Sequence, residues 1–167
     1  MSDTMVQKLK LNPNICYILG IYETSDKNFI NLRTSNDDLA TKFTKLIITD
    51  LNIKPEKIIT EKHGNMNTVI LYNSKLKKLF DKTLERKSFV FKYLNAYAAN
   101  YFAAIFDYNG GKDEKGLYIT HLNYEDSIIL EKLNIHTNGK GRSYIINPNL
   151  FIMLIKDYSL KLVHIIH

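Results

Sequence analysis

One order of local signals runs twice along this chain, and a repeat of that kind restricts the fold to architectures with internal two-fold symmetry. In the first pass Asn12-Pro13 opens a helix, because Asn caps free amides and Pro in the first turn forfeits no hydrogen bond. The apolar run Ile15 to Tyr22 carries that helix to a stop near Thr24-Ser25-Asp26. A short strand is expected from Phe29 to Thr34. Ser35-Asn36-Asp37-Asp38 then caps a second helix, in which Leu39, Phe43, Leu46, Ile47 and Leu51 keep a helical period. Pro55 ends the connection. Lys57 to Lys62 and Thr68 to Tyr72 read as a hairpin around His63-Gly64-Asn65. Ser74 caps a closing helix with Leu76, Leu79, Phe80 and Leu84 on one face.

The second pass starts near Phe89 with a long helix that runs to Phe106 and stops at Asn109-Gly110-Gly111. Leu117 to His121 is a strand. Asn123 caps a helix with Glu125 and Asp126 in its first turn, where the macrodipole favours acids. A hairpin turns at Asn138-Gly139-Lys140-Gly141, between Ile135–Thr137 and Ser143–Ile146. Asn147-Pro148 opens the last helix, through Leu150, Phe151, Leu154 and Ile155, as Asn12-Pro13 opens the first. The apolar tail, Leu160 to His167, is expected as a final strand or a docked end. Each half thus reads helix, strand, helix, hairpin, helix. The expectation is one α+β domain over 1–167 with two pseudo-symmetric repeats, 12–87 and 88–161.

Composition narrows the setting. The chain has 167 residues, 45% hydrophobic and 24% charged, enough for a single packed core. No stretch approaches the roughly 18 uninterrupted apolar residues of a membrane span. The polar segment Met1 to Asn12 lacks the apolar centre of a signal peptide, so an intracellular, non-secreted protein without membrane contact is expected. A single Cys16 excludes an internal disulfide and a cysteine-based zinc site. The net charge of +6 favours a polyanionic partner. The cations are nearly all Lys, with only Arg33, Arg86 and Arg142 as arginines. Together with the abundance of Ile, Asn and Tyr, this matches coding in an AT-rich organellar, viral or microbial genome, which accounts for part of the lysine content.

The first helix of each half carries a more specific signal. Phe102-Ala103-Ala104-Ile105-Phe106-Asp107-Tyr108-Asn109-Gly110 resembles the nine-residue motif of the LAGLIDADG homing endonuclease family: apolar, small, small, apolar, apolar, an acid, then a turn closed by Gly. Ile18-Leu19-Gly20-Ile21-Tyr22-Glu23-Thr24-Ser25-Asp26 is a looser copy, and 84 residues separate Gly20 from Ala104. Two such helices must pack side by side, which needs small residues at i, i+4 spacing. Cys16 with Gly20, and Ala99 with Ala103 beside Ala96 and Ala104, meet that need. The resemblance covers most of the chain and implies a LAGLIDADG endonuclease-like fold with curved antiparallel sheets.

It also implies where chemistry would sit. In the family the eighth motif residue is an acid, one per repeat, and the pair holds divalent metal over the scissile phosphates. Here those positions are Ser25 and Asn109, which supply no carboxylate. Glu23 and Asp107 hold the sixth position, where an acid helps to end the helix, and Asp26 reaches the catalytic place only if the first copy slides by one residue. No catalytic residue and no metal is therefore expected, with Glu23, Asp26 and Asp107 as fallback acids and Mg as cofactor only under an endonuclease reading. Family members usually carry a two-stranded hairpin after each motif; here Lys27 to Ser35 and Lys112 to Leu122 each show one clear strand, so trimmed sheets are expected.

If the sheets face nucleic acid, alternate strand and turn residues should be basic or polar. Lys27, Asn28, Asn31, Arg33, Lys57, Lys62, His63, Asn65 and Asn67 fit in the first half. Lys112, Lys115, Tyr118, Thr120, Lys140, Arg142 and Tyr144 fit in the second. Lysines would meet phosphates, while Arg33 and Arg142 are placed to read a guanine edge. Lys75, Lys77, Lys78, Lys82, Arg86 and Lys87 read as the solvated face of a helix and its exit, with phosphate contact as the alternative. Cys16 reads as a buried, inert thiol. Tyr93, Tyr97 and Tyr101 read as a packing stripe on one helix, and the histidines show no ligand spacing. There is no Gly-rich phosphate loop and no nucleophile constellation.

Three functions remain open at this stage. The first is a DNA- or RNA-binding descendant of the family without cleavage, in a maturase-like, regulatory or ribonucleoprotein role, as a monomer or part of a larger complex. The second is a metal-dependent endonuclease using Asp26, Asp107 or Glu23. The third is a protein-interaction scaffold built on the same fold.

Overall fold

The computed structural model describes residues 9–165. Residues 1–8 and 166–167 lie outside it, and with them most of the polar N-terminal segment and the end of the apolar tail.

Helix α1 (Pro13–Thr24) starts with the Asn12 carboxamide oxygen accepting the Ile15 amide at 2.8 Å. Strand β1 (Ile30–Thr34) leads to helix α2 (Asp37–Asp50), whose first free amides, on Asp38 and Leu39, are taken up by Asn36. Strands β2 (Ile58–His63) and β3 (Met66–Leu71) form a hairpin. Its turn places Gly64 at φ 60°, a region that favours glycine. Helix α3 (Ser74–Glu85) is capped by Asn73, which accepts the Leu76 amide, rather than by Ser74.

The second half of the chain departs from the expected single long helix. A short helix α4 (Lys87–Val90) ends at Phe91, and the chain restarts as helix α5 (Ala96–Asn109) with Asn95 capping the Tyr97 and Ala98 amides. Tyr93 therefore lies outside the helix that holds Tyr97 and Tyr101, and the tyrosine stripe does not form. Strands β4 (Gly110–Asp113) and β5 (Gly116–Thr120) follow, then helix α6 (Tyr124–Lys132), strands β6 (His136–Asn138) and β7 (Arg142–Ile146), and helix α7 (Asn149–Ile155). The Asn-Pro cap is not repeated. Asn147 sits at φ 52° and α7 has no side-chain cap. The described part of the tail forms a short helix α8 (Leu162–Ile165), not a strand.

Two antiparallel sheets result, ordered β1-β3-β2 and β4-β5-β7-β6. The single strand expected after α1 is β1. After α5 there is a full hairpin, β4 with β5, because Gly110 and Gly111 let the chain leave the helix directly into a strand. A Cβ on Gly110 would collide with the Phe106 ring, and one on Gly111 with the Tyr118 ring and hydroxyl.

Helices α1 and α5 pack against each other at the centre of the molecule. Gly20 makes this possible: a Cβ there would meet the Tyr101 carbonyl and fall 2.7 Å from the Ala104 Cβ. The close approach thus uses Gly20 and Ala104, while Ala96 and Ala99 line a groove beside Leu150, Met153 and Leu154. Each half of the chain adds its own aromatic core, with Tyr22 edge-on to Phe80 at 5.3 Å and Phe106 edge-on to Phe151 at 5.8 Å. Each fully buried ring contributes about 1.5–3 kcal/mol of apolar burial. Cys16 is buried and desolvation pushes its thiol up to about 12, an inert group as expected.

Candidate nucleic-acid interface and the helix-pair turns

The two central helices end in turns that differ from one another. At the end of α1, the Ser25 amide bonds to the carbonyls of Ile21 and Tyr22, and its hydroxyl donates to the Tyr22 carbonyl at 2.9 Å. Asp26 is exposed, and its Oδ1 accepts the Asn28 amide at 3.0 Å. At the end of α5, the Asn109 carbonyl accepts from the Thr120 hydroxyl at 3.0 Å, and the Gly110 carbonyl accepts from Lys161 Nζ at 2.7 Å.

The sixth-position acids face inward, and each is held by a partner from a distant part of the chain. Asp107 is buried. Its two oxygens accept from the Tyr17 hydroxyl at 2.5 Å, the Ser159 hydroxyl at 2.5 Å, the Leu160 amide at 2.9 Å and the Lys161 amide at 3.0 Å. Desolvation, then the Asp107 charge, raise the Tyr17 phenol well above its ordinary value. Lys42 Nζ lies 3.7 Å from the Tyr17 ring centroid and donates to the Tyr158 carbonyl. Burial pulls the Lys42 and Lys161 ammonium groups down, opposed by Asp107.

Glu23 is the counterpart, with a side chain only 4% exposed. It pairs with Lys27 at 2.6 Å and with Lys87 at 3.4 Å. Lys87 was expected on a solvated face, yet its side chain is 2% exposed. It is drawn inside by Asp126 at 3.0 Å, which also accepts the Tyr101 hydroxyl at 2.8 Å. Asp126, expected at the start of α6 for the helix dipole, serves this buried pair as well. Burial pushes its carboxyl up to about 6 even though Lys87 and Tyr101 pull it down. Sequence reasoning missed Lys87, Tyr17, Ser159 and Lys42. The one available signal was the regular 84-residue offset, which places Tyr17 with Tyr101 and Glu23 with Asp107.

Strand alternation sorts the candidate contact residues by face. Ile30 and Leu32 are buried under the helices, so Asn31 and Arg33 belong to the open face of the first sheet. Register carries that face to Thr68 and Ile70, and on to Glu61 and Ile59. His63 shares it, 3.6 Å from Glu61. Lys62 and Asn67 take the opposite face, where both donate to Asp37 of α2, at 3.2 and 2.7 Å. They do not join Arg33, because adjacent strand residues cannot share a face. Asn31 is 8% exposed, and its amide braces the Asp26 and Phe29 carbonyls instead of standing free. Lys27 is engaged with Glu23; Asn28 and Asn65 are exposed in turns, and Lys57 is exposed at the end of a single 3-10 turn of helix (Pro55–Lys57) just before β2.

In the second sheet Leu117 and Ile119 are buried, which leaves Tyr118 and Thr120 on the open face with Tyr144 and Arg142. Asp113, missed from sequence, organises this face. It accepts from Arg142 at 2.8 Å and from the Tyr144 hydroxyl at 2.6 Å. The Tyr144 bond holds the Asp113 carboxyl below the usual range. The Arg142 guanidinium stacks 4.3 Å from the Tyr118 ring centroid, and Lys115 Nζ stands 5.8 Å from that of Tyr144. Lys112 pairs with Leu117, so it is exposed at the edge with the helix-side parity. Lys140 is exposed at the β6–β7 turn.

Among the described residues, no group of three or more His, Cys, Asp or Glu is placed to hold a metal ion, and no helix is long and apolar enough to cross a membrane.

The fold is that of the LAGLIDADG homing endonucleases, as its likeness to solved structures of I-DmoI shows. A structure of mesophilic variants of I-DmoI matches at 18% identity and TM-score 0.68, over 89% of this chain and 97% of that one. An I-DmoI variant in complex with its target DNA and Mn matches at 17% identity and TM-score 0.68, over 89% and 96%. I-DmoI in complex with DNA and Ca matches at 18% identity and TM-score 0.64, over 86% and 88%. No protein-family model and no curated protein matches the chain. At these identities the likeness establishes the architecture, with the expected α+β arrangement and antiparallel sheets.

Proposed function

We propose that this protein binds duplex DNA along the open faces of its two sheets and does not cut it. The observation that carries the binding half is the placement of arginine. Of the three arginines in the chain, Arg33 and Arg142 stand exposed on the open faces, one per repeat. Arginine combines phosphate attraction with a fork suited to guanine. Arg142 is further oriented by Asp113 and Tyr118. The solved structures of the same fold include complexes with DNA, which supports DNA as the ligand here.

The non-cleaving half rests on the donor set at the helix-pair turns. Ser25 and Asn109 carry no carboxylate. Asp107 already accepts four hydrogen bonds, and Glu23 is buried in ion pairs. Asp26 is exposed, but the residue 84 positions on is Gly110, which has no side chain. This set does not fit a divalent cation shared between the turns, so no metal-assisted step is assigned. Binding without cleavage suits a regulatory or ribonucleoprotein role, alone or in a larger assembly.

Titrating a randomised duplex pool against the protein at increasing salt, with and without Mg or Mn, tests this. The expected result is affinity that falls linearly on a log–log plot against salt, with intact duplex throughout. Absence of duplex binding at low salt would sink the proposal. Metal-dependent cleavage abolished by Asp26→Asn would establish the endonuclease reading in its place.

A further inference from the structure

The densest run of exposed, unpaired cations is not on the sheets. It lies along α3 and its exit, where Lys75, Lys78, Lys82 and Arg86 follow one another at spacings of three and four residues and all are exposed. None of them forms an ion pair among the described residues, whereas Lys77 is neutralised by Asp81 and Lys87 is buried. At the end of this stripe, Phe89 is 59% exposed and Tyr93 63%. Lys92 stands between them, with Nζ 4.1 Å from the Phe89 centroid and 5.2 Å from that of Tyr93. The Arg86 guanidinium carbon also lies 5.5 Å from the Phe89 centroid.

We infer that this ridge is a second nucleic-acid site, one that takes a single strand. Two exposed rings beside cations offer what a single strand supplies: π faces free to stack and phosphates to pair. A duplex keeps its bases stacked inside and cannot use the rings. Charge decides against a basic or apolar protein surface, because Lys75, Lys78, Lys82, Arg86 and Lys92 are exposed cations with only Glu85 as an exposed acid between Lys75 and Tyr93. The exposed Phe89 and Tyr93 rings favour stacked bases over an acidic protein surface. The ridge lies away from the second sheet. It adjoins the N-terminal end of α5, a helix of 14 residues and so about 20 Å long, while β4 leaves from the other end.

The site stands independently of the duplex reading, and one set of variants separates the two. Fluorescence anisotropy would follow a labelled single strand of about 12 nucleotides, as RNA and as DNA of the same sequence, beside the matching duplex. The double variant Phe89→Ala/Tyr93→Ala is expected to weaken single-strand binding at least about tenfold and leave duplex binding unchanged. Lys92→Glu is expected to act in the same direction, and Phe89→Tyr to retain binding. Arg33→Gln/Arg142→Gln is expected to do the converse, weakening duplex alone. Tighter binding of RNA than of DNA would place a 2′-hydroxyl contact at the site. The inference is overturned if wild-type protein has no single-strand affinity at low salt. It is equally overturned if the ring variants bind the single strand as wild type does, or lose duplex and single strand together. A change in oligomeric state without any change in single-strand affinity overturns it too, and marks the ridge as a protein-docking surface.

Discussion

The hydroxyl of Tyr17, near the start of α1, donates to the carboxylate of Asp107, near the end of α5, and so joins the two central helices at 2.5 Å. The same carboxylate gathers the Ser159 hydroxyl and the Leu160 and Lys161 amides, which fastens the segment before α8 onto the helix pair. Asp107→Asn halves the accepting capacity and strands at least one buried donor. It is expected to destabilise the protein by about 2–4 kcal/mol and Tyr17→Phe by about 1–2 kcal/mol in urea denaturation. Amide exchange at Leu160 and Lys161 should accelerate in the Asn variant before exchange in α1 does. Unchanged protection there would show that the tail is held by other contacts.

Gly20 sets how closely the repeats approach. In an ordinary helix Gly→Ala adds up to about 1 kcal/mol of stability through propensity. Here the new methyl would meet the Tyr101 carbonyl and the Ala104 side chain, so the sign reverses. Gly20→Ala is expected to lower stability by about 1–3 kcal/mol, and Gly20→Val by more. Thermal denaturation of the two variants checks the order; a stabilised Ala variant would mean that the helices separate without penalty.

Asp126 makes stability depend on pH in a direction opposite to most carboxylates. Its carboxyl rises from 3.8 to about 6 in the folded protein because burial opposes ionisation. Between those values the folded chain binds more protons than the unfolded chain, so this group's contribution falls as pH rises from about 4 to about 6. The stability difference between wild type and Asp126→Asn should therefore shift against wild type by up to about 3 kcal/mol across that window. Denaturation midpoints of both proteins at pH 4, 5, 6 and 7 measure it. Parallel curves would place Asp126 outside the titration.

Face assignment predicts which cations touch a duplex. Arg33→Gln and Arg142→Gln lie on the open faces, and each should reduce the salt slope of duplex binding by about 1. Lys62→Gln removes a cation that faces Asp37 on the other side of the sheet, and should leave duplex affinity within about twofold. Equal losses from Lys62 and Arg33 would mean that both faces of β2 and β3 meet the ligand.

Much of this was legible in the residues themselves. Asn12, Asn36 and Asn123 cap helices where their spacing to apolar runs predicts, since capping is a contact between near neighbours. Gly64 and Gly139 mark hairpin turns for the same local reason. The pairing of α1 with α5 followed from small residues at i, i+4 spacing in each helix, with Gly20 and Ala104 at an 84-residue offset. The break at Phe91–Asn95 was hidden because the apolar pattern continues through it, and only the Asn95 cap divides it. The β4–β5 hairpin was hidden because β4 is Gly-Gly-Lys-Asp, a strand made by pairing with β5 rather than by its own propensity.

Side-chain fate belonged to the tertiary structure. Lys87 and Lys82 are chemically alike and five residues apart, yet one is buried among carboxylates and the other is solvated. What separates them is Glu23 from α1 and Asp126 from α6. Asp107 reads as an ordinary helix-end acid until the chain returns some fifty residues later with Ser159. Local order depends on neighbours within a few turns, and the α1–α5 pairing on small residues spaced along each helix, so sequence alone determined them. Burial of a charge depends on partners brought from distant parts of the chain, because only a matched set of donors and acceptors offsets its desolvation; that choice was made by the folded structure.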